Sequence, residues 1–279
     1  MKNKHMTYAL KNNRITYIDD VEKGLKCGCV CPACGEALIA KQGNKLTHHF
    51  AHRSDTDCEY GYQTSLHLAA KEILSNAKRI NLPQVILNFP GSSKSVRISD
   101  SVTLDFDKIE LEKNFGGIIP DIVAYKGDRK LFIEVYVTHK IGDSKLVKIK
   151  KADISTIEID LSKMNHNISR EELTHVLLSE CSEKKWVYNK KCKFWLDKFY
   201  ERADKMQLKN RGLAIHADWC PISARNYKGK PYANYMDDCS YCEFNIGVEN
   251  DTDGRSCLYC TGRQRISDIK DFYPPSKKC

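Results

Sequence analysis

The run IIPDIVAY at 118–125, the turn residues Lys126, Gly127 and Asp128, and the run KLFIEVYVT at 130–138 read as two strands joined by a tight hairpin. Each run is apolar apart from one acid, Asp121 in the first and Glu134 in the second. An ionised carboxylate in an apolar strand is unfavourable unless it is paired or bound to a cation, so these two acids stand apart from the rest. The bland reading is a buried ion pair. The functional one is a cradle for a hard divalent cation, which prefers carboxylate oxygens a few ångströms apart. Strand alternation puts Glu134, Tyr136 and Thr138 on one face and Ile133, Val135 and Val137 on the other.

Upstream, QTSLHLAAKEILSNAKR repeats Leu66, Ala69, Ala70, Ile73 and Leu74 at helical spacing, with Pro83 marking a stop soon after. Gln63, His67 and Lys71 are four apart and share a polar stripe of that helix. VILNF at 85–89 and VTLDF at 102–106 read as further strands. Downstream, DSKLVKIKKA after Gly142 reads as a short helix carrying Lys145 and Lys148, and ISTIEIDLS at 154–162 returns to strand. The expected order is helix, strands, helix, strand, a mixed α/β core. Residues 169–211 read as helical and basic; the aromatics Trp186, Phe194, Trp195, Phe199 and Tyr200 suit a core more readily than a nucleic-acid face.

The flanks are cysteine-rich. Thirteen cysteines occur among 279 residues, and the first twenty residues lack the apolar segment of a secretory signal, so the expectation is a cytoplasmic chain with reduced thiols that serve metals. Cys239-x2-Cys242 and Cys257-x2-Cys260 form two paired-cysteine knuckles suited to tetrahedral Zn²⁺, with Cys220 as a substitute ligand. The N-terminal cluster offers Cys27, Cys29, Cys31, Cys34, His48, His49, His52 and Cys58, more ligands than one ion needs. No apolar run reaches the roughly eighteen residues of a membrane span. A formal charge of +9 suits a polyanionic partner without specifying one.

CPACGEAL, HHFAH, QTSLHLAAKEIL, IPDIVAYKGDRKLFIEVYVTHKIGDSKLVKI and STIEIDLS together resemble the competence CoiA-like branch of the PD-(D/E)XK nucleases, over roughly residues 25–163. The resemblance implies a restriction-endonuclease-like core, a mixed central sheet flanked by helices. It implies Mg²⁺ or Mn²⁺ held by Asp121 and Glu134, with His67, Lys71 and His139 as supporting groups. It selects Cys31, Cys34, His49 and His52 as ligands of one zinc ion, with Cys27 and Cys58 in reserve. Two departures matter: Gln63 stands where relatives commonly carry Glu, and Tyr136 stands where the E-x-K pattern puts Lys. Lys145 is the candidate replacement cation.

The resulting expectation is an N-terminal zinc module at 1–60, a nuclease core at 61–165, a basic helical segment at 166–215 and a four-cysteine zinc module at 216–279. Its activity would be metal-dependent hydrolysis of phosphodiester bonds in DNA, or in RNA, with no membrane partner; a homo-oligomer or a protein partner is compatible. The resemblance permits DNA uptake, phage defence or mobile-element biology. The alternative is a zinc-containing nucleic-acid-binding protein with a degenerate, inactive nuclease core.

Overall fold

The computed structural model describes residues 5–54, 58–138, 140–165, 167–250 and 255–273. In chain order the elements are β1 (Tyr8–Lys11), β2 (Arg14–Tyr17), β3 (Leu38–Lys41), β4 (His49–His52), α1 (Gly61–Ala77), β5 (Arg79–Leu82), β6 (Val85–Asn88), β7 (Ser95–Ser99), β8 (Val102–Asp105), β9 (Lys108–Leu111), β10 (Ile122–Lys126) and β11 (Arg129–Tyr136). They continue with α2 (Asp143–Ala152), β12 (Thr156–Asp160), α3 (Arg170–Leu178), β13 (Lys184–Tyr188), α4 (Lys190–Glu201), β14 (Asp204–Asn210), β15 (Ile215–Asp218), β16 (Arg225–Tyr227), β17 (Lys230–Asn234), β18 (Asn245–Asn250) and β19 (Ser256–Cys260). The fold is mixed α/β. It comprises two compact units, residues 1–83 with 101–189, and residues 84–100 with 190–279.

The first unit is built on a five-stranded sheet ordered β13-β12-β11-β10-β9. The 118–138 segment forms the expected antiparallel hairpin, with Lys126 opposite Arg129 and Gly127 at φ 54 in the turn. β11 and β12 pair in parallel, Glu134 opposite Glu158, and α2 spans the connection. Side chains divide by strand alternation. Ile122, Ala124, Ile133 and Val135 join Leu66, Ala70 and Leu74 of α1 in one core, whereas Val123 and Phe132 join Ile149 of α2 in another. β11 is therefore covered on both faces, which explains its near-continuous apolar run. Helix α1 ends at Lys78, in the left-handed region at φ 48, whose N–H donates to Leu74 O.

The second unit holds an antiparallel six-stranded sheet ordered β16-β17-β15-β14-β19-β18, together with the β6–β7 hairpin and α4. Its core includes Leu87, Phe89, Val96, Phe199 and Ile246, with Phe89 and Phe272 packed edge-on against Phe199.

Two expectations require correction. The stretch 169–211 is not helical throughout: it contains α3 and α4 but also β13 and β14. KKWVY pairs with β12, and DKMQLKN is held between β15 and β19, so ladder bonding overrides the local helical pattern. Asp121 lies just before β10 rather than inside it. Of the aromatics in this stretch, Phe199 is fully buried, Trp195 and Tyr200 pack against the second unit's core, Trp186 packs against the first unit's, and Phe194 is exposed.

Candidate functional site

The loop before β10, the second half of β11 and the first turn of α2 meet at a cavity of about 240 Å³ lined by His67, Asp121, Glu134, Tyr136, Lys140, Lys145 and Glu158, among others. Phe132, Glu134 and Tyr136 follow one another on the α2 face of β11. Phe132 closes the apolar core, and Glu134 opens onto the cavity. Asp121 reaches the same space from the loop before β10.

Each acid is held differently. Asp121 Oδ2 accepts the Val135 N–H at 2.8 Å and lies 3.0 Å from His67 Nε2. Burial pushes the Asp121 carboxyl up, but His67, the Val135 N–H and the charge of Lys71 outweigh it, and the net shift is downward. Glu134 is 6% exposed, and its carboxyl is pushed up to about 7 by burial, with Lys145 opposing the shift and Asp121 reinforcing it. Lys145 Nζ lies 2.7 Å from both oxygens of Glu134, but only Oε2 receives a well-directed hydrogen bond. Glu134 Oε1 is buried without a hydrogen-bond partner. A buried carboxylate oxygen held only by its ion pair with Lys145, on a cavity that a second carboxylate also lines, suits a divalent cation with oxygen preference.

Five of the expected residues, His67, Asp121, Glu134, Tyr136 and Lys145, therefore line one cavity. Gln63 and Lys71 do not line it. Lys71 is buried and its ammonium pairs with Glu112 at 2.5 Å, so it acts on Asp121 only through its charge. His139 lies outside the described residues. Sequence reasoning missed Lys140 and Glu158. Glu158 sits beside Glu134 on the neighbouring parallel strand, and its Oε2 accepts the Ile141 N–H at 3.1 Å. The signal was available, as an acid within the apolar run ISTIEIDLS. Lys140 carried none, being one more lysine in a loop; its ammonium lies 5.4 Å from the Tyr136 ring centre.

The N-terminal cysteine cluster is a second site. Ligand atoms of Cys31, Cys34, His52 and Cys58 all lie within 4.8 Å of one another. Cys31 Sγ and Cys58 Sγ are 3.9 Å apart, and Cys34 Sγ is 3.4 Å from His52 Nε2. Ligands about 2.3 Å (sulfur) and 2.0 Å (nitrogen) from a tetrahedral zinc ion stand about 3.8 Å and 3.5 Å apart, so the set fits that ion. The turn carrying the first two cysteines is closed by Cys31 N–H to Glu36 O at 2.8 Å and Gly35 N–H to Cys31 O at 2.9 Å.

The expected quartet is thus corrected at one position: Cys58 takes the place given to His49. The two histidines are three apart on β4 and point to opposite faces, and His49 Nδ1 instead lies 2.8 Å from Thr47 O. Cys27 and Cys29 direct their thiols to the carbonyls of Leu38 and Cys27. Cys58 closes the loop into α1 through Gly61 N–H to Cys58 O at 3.2 Å, and a Cβ on Gly61 would stand 3.0 Å from Met6 Sδ and 3.3 Å from Cys31 Sγ. His67 lies six residues into the same helix, roughly 9 Å along its axis from Gly61.

At the other end of the chain, Cys239, Cys242 and Cys260 line a common cavity, but Cys257 does not. β19 carries both Cys257 and Cys260, and their odd spacing sends the two thiols to opposite faces. The paired-knuckle expectation for these four residues is corrected accordingly.

Among the described residues no helix is long and apolar enough to cross a membrane. Neither a curated protein nor a solved structure matches the chain. Residues 16–61, the segment that holds Cys31, Cys34, His52 and Cys58, match the family model described as Competence protein CoiA, N-terminal domain, and this similarity supports kinship with the CoiA family.

Proposed function

We propose that this chain is a metal-dependent nuclease of the PD-(D/E)XK kind, acting on DNA through the cavity between β10, β11 and α2. The observation that carries this reading is the convergence of Asp121, Glu134 and Lys145 on one cavity. Asp121 and Glu134 would hold Mg²⁺ or Mn²⁺, which when bound polarises the phosphodiester and makes water a stronger nucleophile at neutral pH.

The chain's own residues prepare this chemistry. His67 and the Val135 N–H orient Asp121 and keep it ionised. Lys145 opposes the burial that would protonate Glu134 and presents an ammonium to phosphoryl oxygens. Tyr136, at the position of the E-x-K lysine, offers a neutral hydroxyl, and Lys140 adds a cation at the cavity wall. Cys31, Cys34, His52 and Cys58 would hold a structural zinc ion that fixes the loop leading into α1, and with it His67.

The name of the matched N-terminal family speaks of competence, which suits a substrate of incoming DNA; that match ends at residue 61, short of the cavity. A second reading, a DNA-binding protein with an inactive core, is favoured by the neutral Gln63 and Tyr136 at positions where relatives carry charge. Cleavage of plasmid and single-stranded DNA with Mg²⁺, Mn²⁺ or EDTA separates the two. Metal-dependent nicking that is lost in Asp121→Ala and Glu134→Ala, with zinc content matched, supports the nuclease. Salt-sensitive binding by wild-type protein without cleavage would replace it with the second reading.

A further inference from the structure

Four cysteines from separate parts of the second unit, Cys220, Cys239, Cys242 and Cys260, line one cavity of about 30 Å³. Cys220 follows β15 and opens a turn closed by Ser223 N–H to Cys220 O at 3.0 Å. Cys239 and Cys242 flank a second turn, in which the Cys242 N–H donates to Cys239 O at 3.1 Å. Asn245 clamps that turn, its side-chain amide donating to Cys239 O and its backbone N–H to Cys242 O, each at 3.0 Å. Cys260 ends β19, and its Sγ accepts the Gly262 N–H at 3.4 Å.

Ser256, Leu258 and Cys260 share one face of β19. Leu258 and Cys260 both reach the cavity, whereas Cys257 belongs to the other face, opposite Glu249 and Gln207 in the ladders. Asp238 also borders the cavity, but its carboxylate is committed to Arg225 Nε at 2.7 Å and to the Asn234 N–H at 2.7 Å. This leaves the four thiols as the available ligands.

We infer that Cys220, Cys239, Cys242 and Cys260 hold a second structural zinc ion as a tetrathiolate, and that Cys257 stands outside it. The inference does not depend on the nuclease reading. Zinc displaces thiol protons, so the four sulfurs would bind the cation as thiolates. The sulfurs stand wider than those of the N-terminal quartet, since no three fall mutually within 4.8 Å. A zinc tetrahedron needs separations of about 3.8 Å, so binding requires the side chains to rotate into the cavity they line. A cavity this small suits one ion and not a four-iron cluster.

The test is zinc stoichiometry of the full-length chain, measured by elemental mass spectrometry after a chelator wash that removes loose metal, with circular dichroism to check folding. Expected are two zinc ions per chain in wild type and in Cys257→Ser, and one in Cys220→Ser. Replacing zinc by Co²⁺ in a Cys58→Ser background, which removes the N-terminal site, should leave the intense charge-transfer absorption of four thiolates. If Cys220→Ser does not fold, Cys257→Ser and the cobalt spectrum decide alone. Loss of one zinc from Cys257→Ser, retention of two in Cys220→Ser, or a single zinc in wild type overturns the inference.

Discussion

The ammonium of Lys145 lies 2.7 Å from both carboxylate oxygens of Glu134, tying the first turn of α2 to the centre of β11. Glu134 would be costlier still to ionise without it, because burial drives its carboxyl upward to about 7 even with Lys145 opposing the shift. The arrangement lets one cation serve two ends, keeping the acid charged and facing the space where phosphate charge would develop. Lys145→Met should therefore lower cleavage by about 10²–10³-fold, the usual loss for one charge-stabilising donor, while leaving the fold intact. Initial rates with saturating Mn²⁺ check this. A Lys145→Met enzyme that cleaves as fast as wild type would reduce Lys145 to a counter-ion.

Asp121 shares one oxygen between His67 and the Val135 N–H, and only the first of these can be removed by substitution. His67→Ala should weaken Mn²⁺ binding by about 10–100-fold, as loss of a residue that orients a ligand does, whereas Asp121→Ala should abolish it. Titration calorimetry with Mn²⁺ alone reads this without any substrate. Equal affinities in wild type and His67→Ala would mean that the backbone N–H suffices to hold Asp121.

Much of the first unit is legible in its sequence, because period and burial agree there. The two strands of the 118–138 hairpin, α1 and α2 follow directly from patterns of two and of 3.6 residues. Legibility fails where the deciding contacts are distant. KKWVY and DKMQLKN look helical in isolation and become strands only because β12, β15 and β19 offer ladders. Segment 84–100 reads as part of the nuclease core by position, yet it packs with residues beyond 190. In the metal sites the same limit applies at finer scale. His49 and Cys257 satisfy the familiar spacings, but each lies on a strand whose alternation turns it away from its supposed partner. Spacing counts residues, and it becomes geometry only once the local secondary structure is known.

The N-terminal quartet makes a prediction in which a cysteine and a histidine exchange expected roles. Cys58→Ser should lose one zinc and lower Tm by on the order of 10 °C, because the metal contributes folding free energy to the loop and the start of α1. His49→Ala should keep its zinc and shift Tm little. Gly61→Ala, which crowds Met6 and Cys31, should fall between the two. Zinc analysis paired with calorimetry checks all three, and zinc loss from His49→Ala would restore the pairing that sequence spacing suggests.

Stability should also depend on pH through Lys184, which is buried on β13 and donates to Glu180 O. Burial pulls its ammonium down to about 8, against the opposing influence of Cys181 and Glu180. In the unfolded chain the same group titrates near its ordinary 10.5. Below pH 8 both states hold the proton and the folded state bears the full penalty of burying it, about 3 kcal/mol by the size of the shift. Between pH 8 and 10.5 the unfolded chain binds more protons than the folded one, so stability rises with pH by up to about 1.4 kcal/mol per unit. Lys184→Met removes the titration and should be the more stable protein near pH 7, with its advantage shrinking as pH rises through that window. Urea unfolding of both proteins from pH 7 to 9.5 isolates the effect, since every other titrating group is common to the pair. Parallel stability curves would show that the Lys184 ammonium is already solvated in the folded protein.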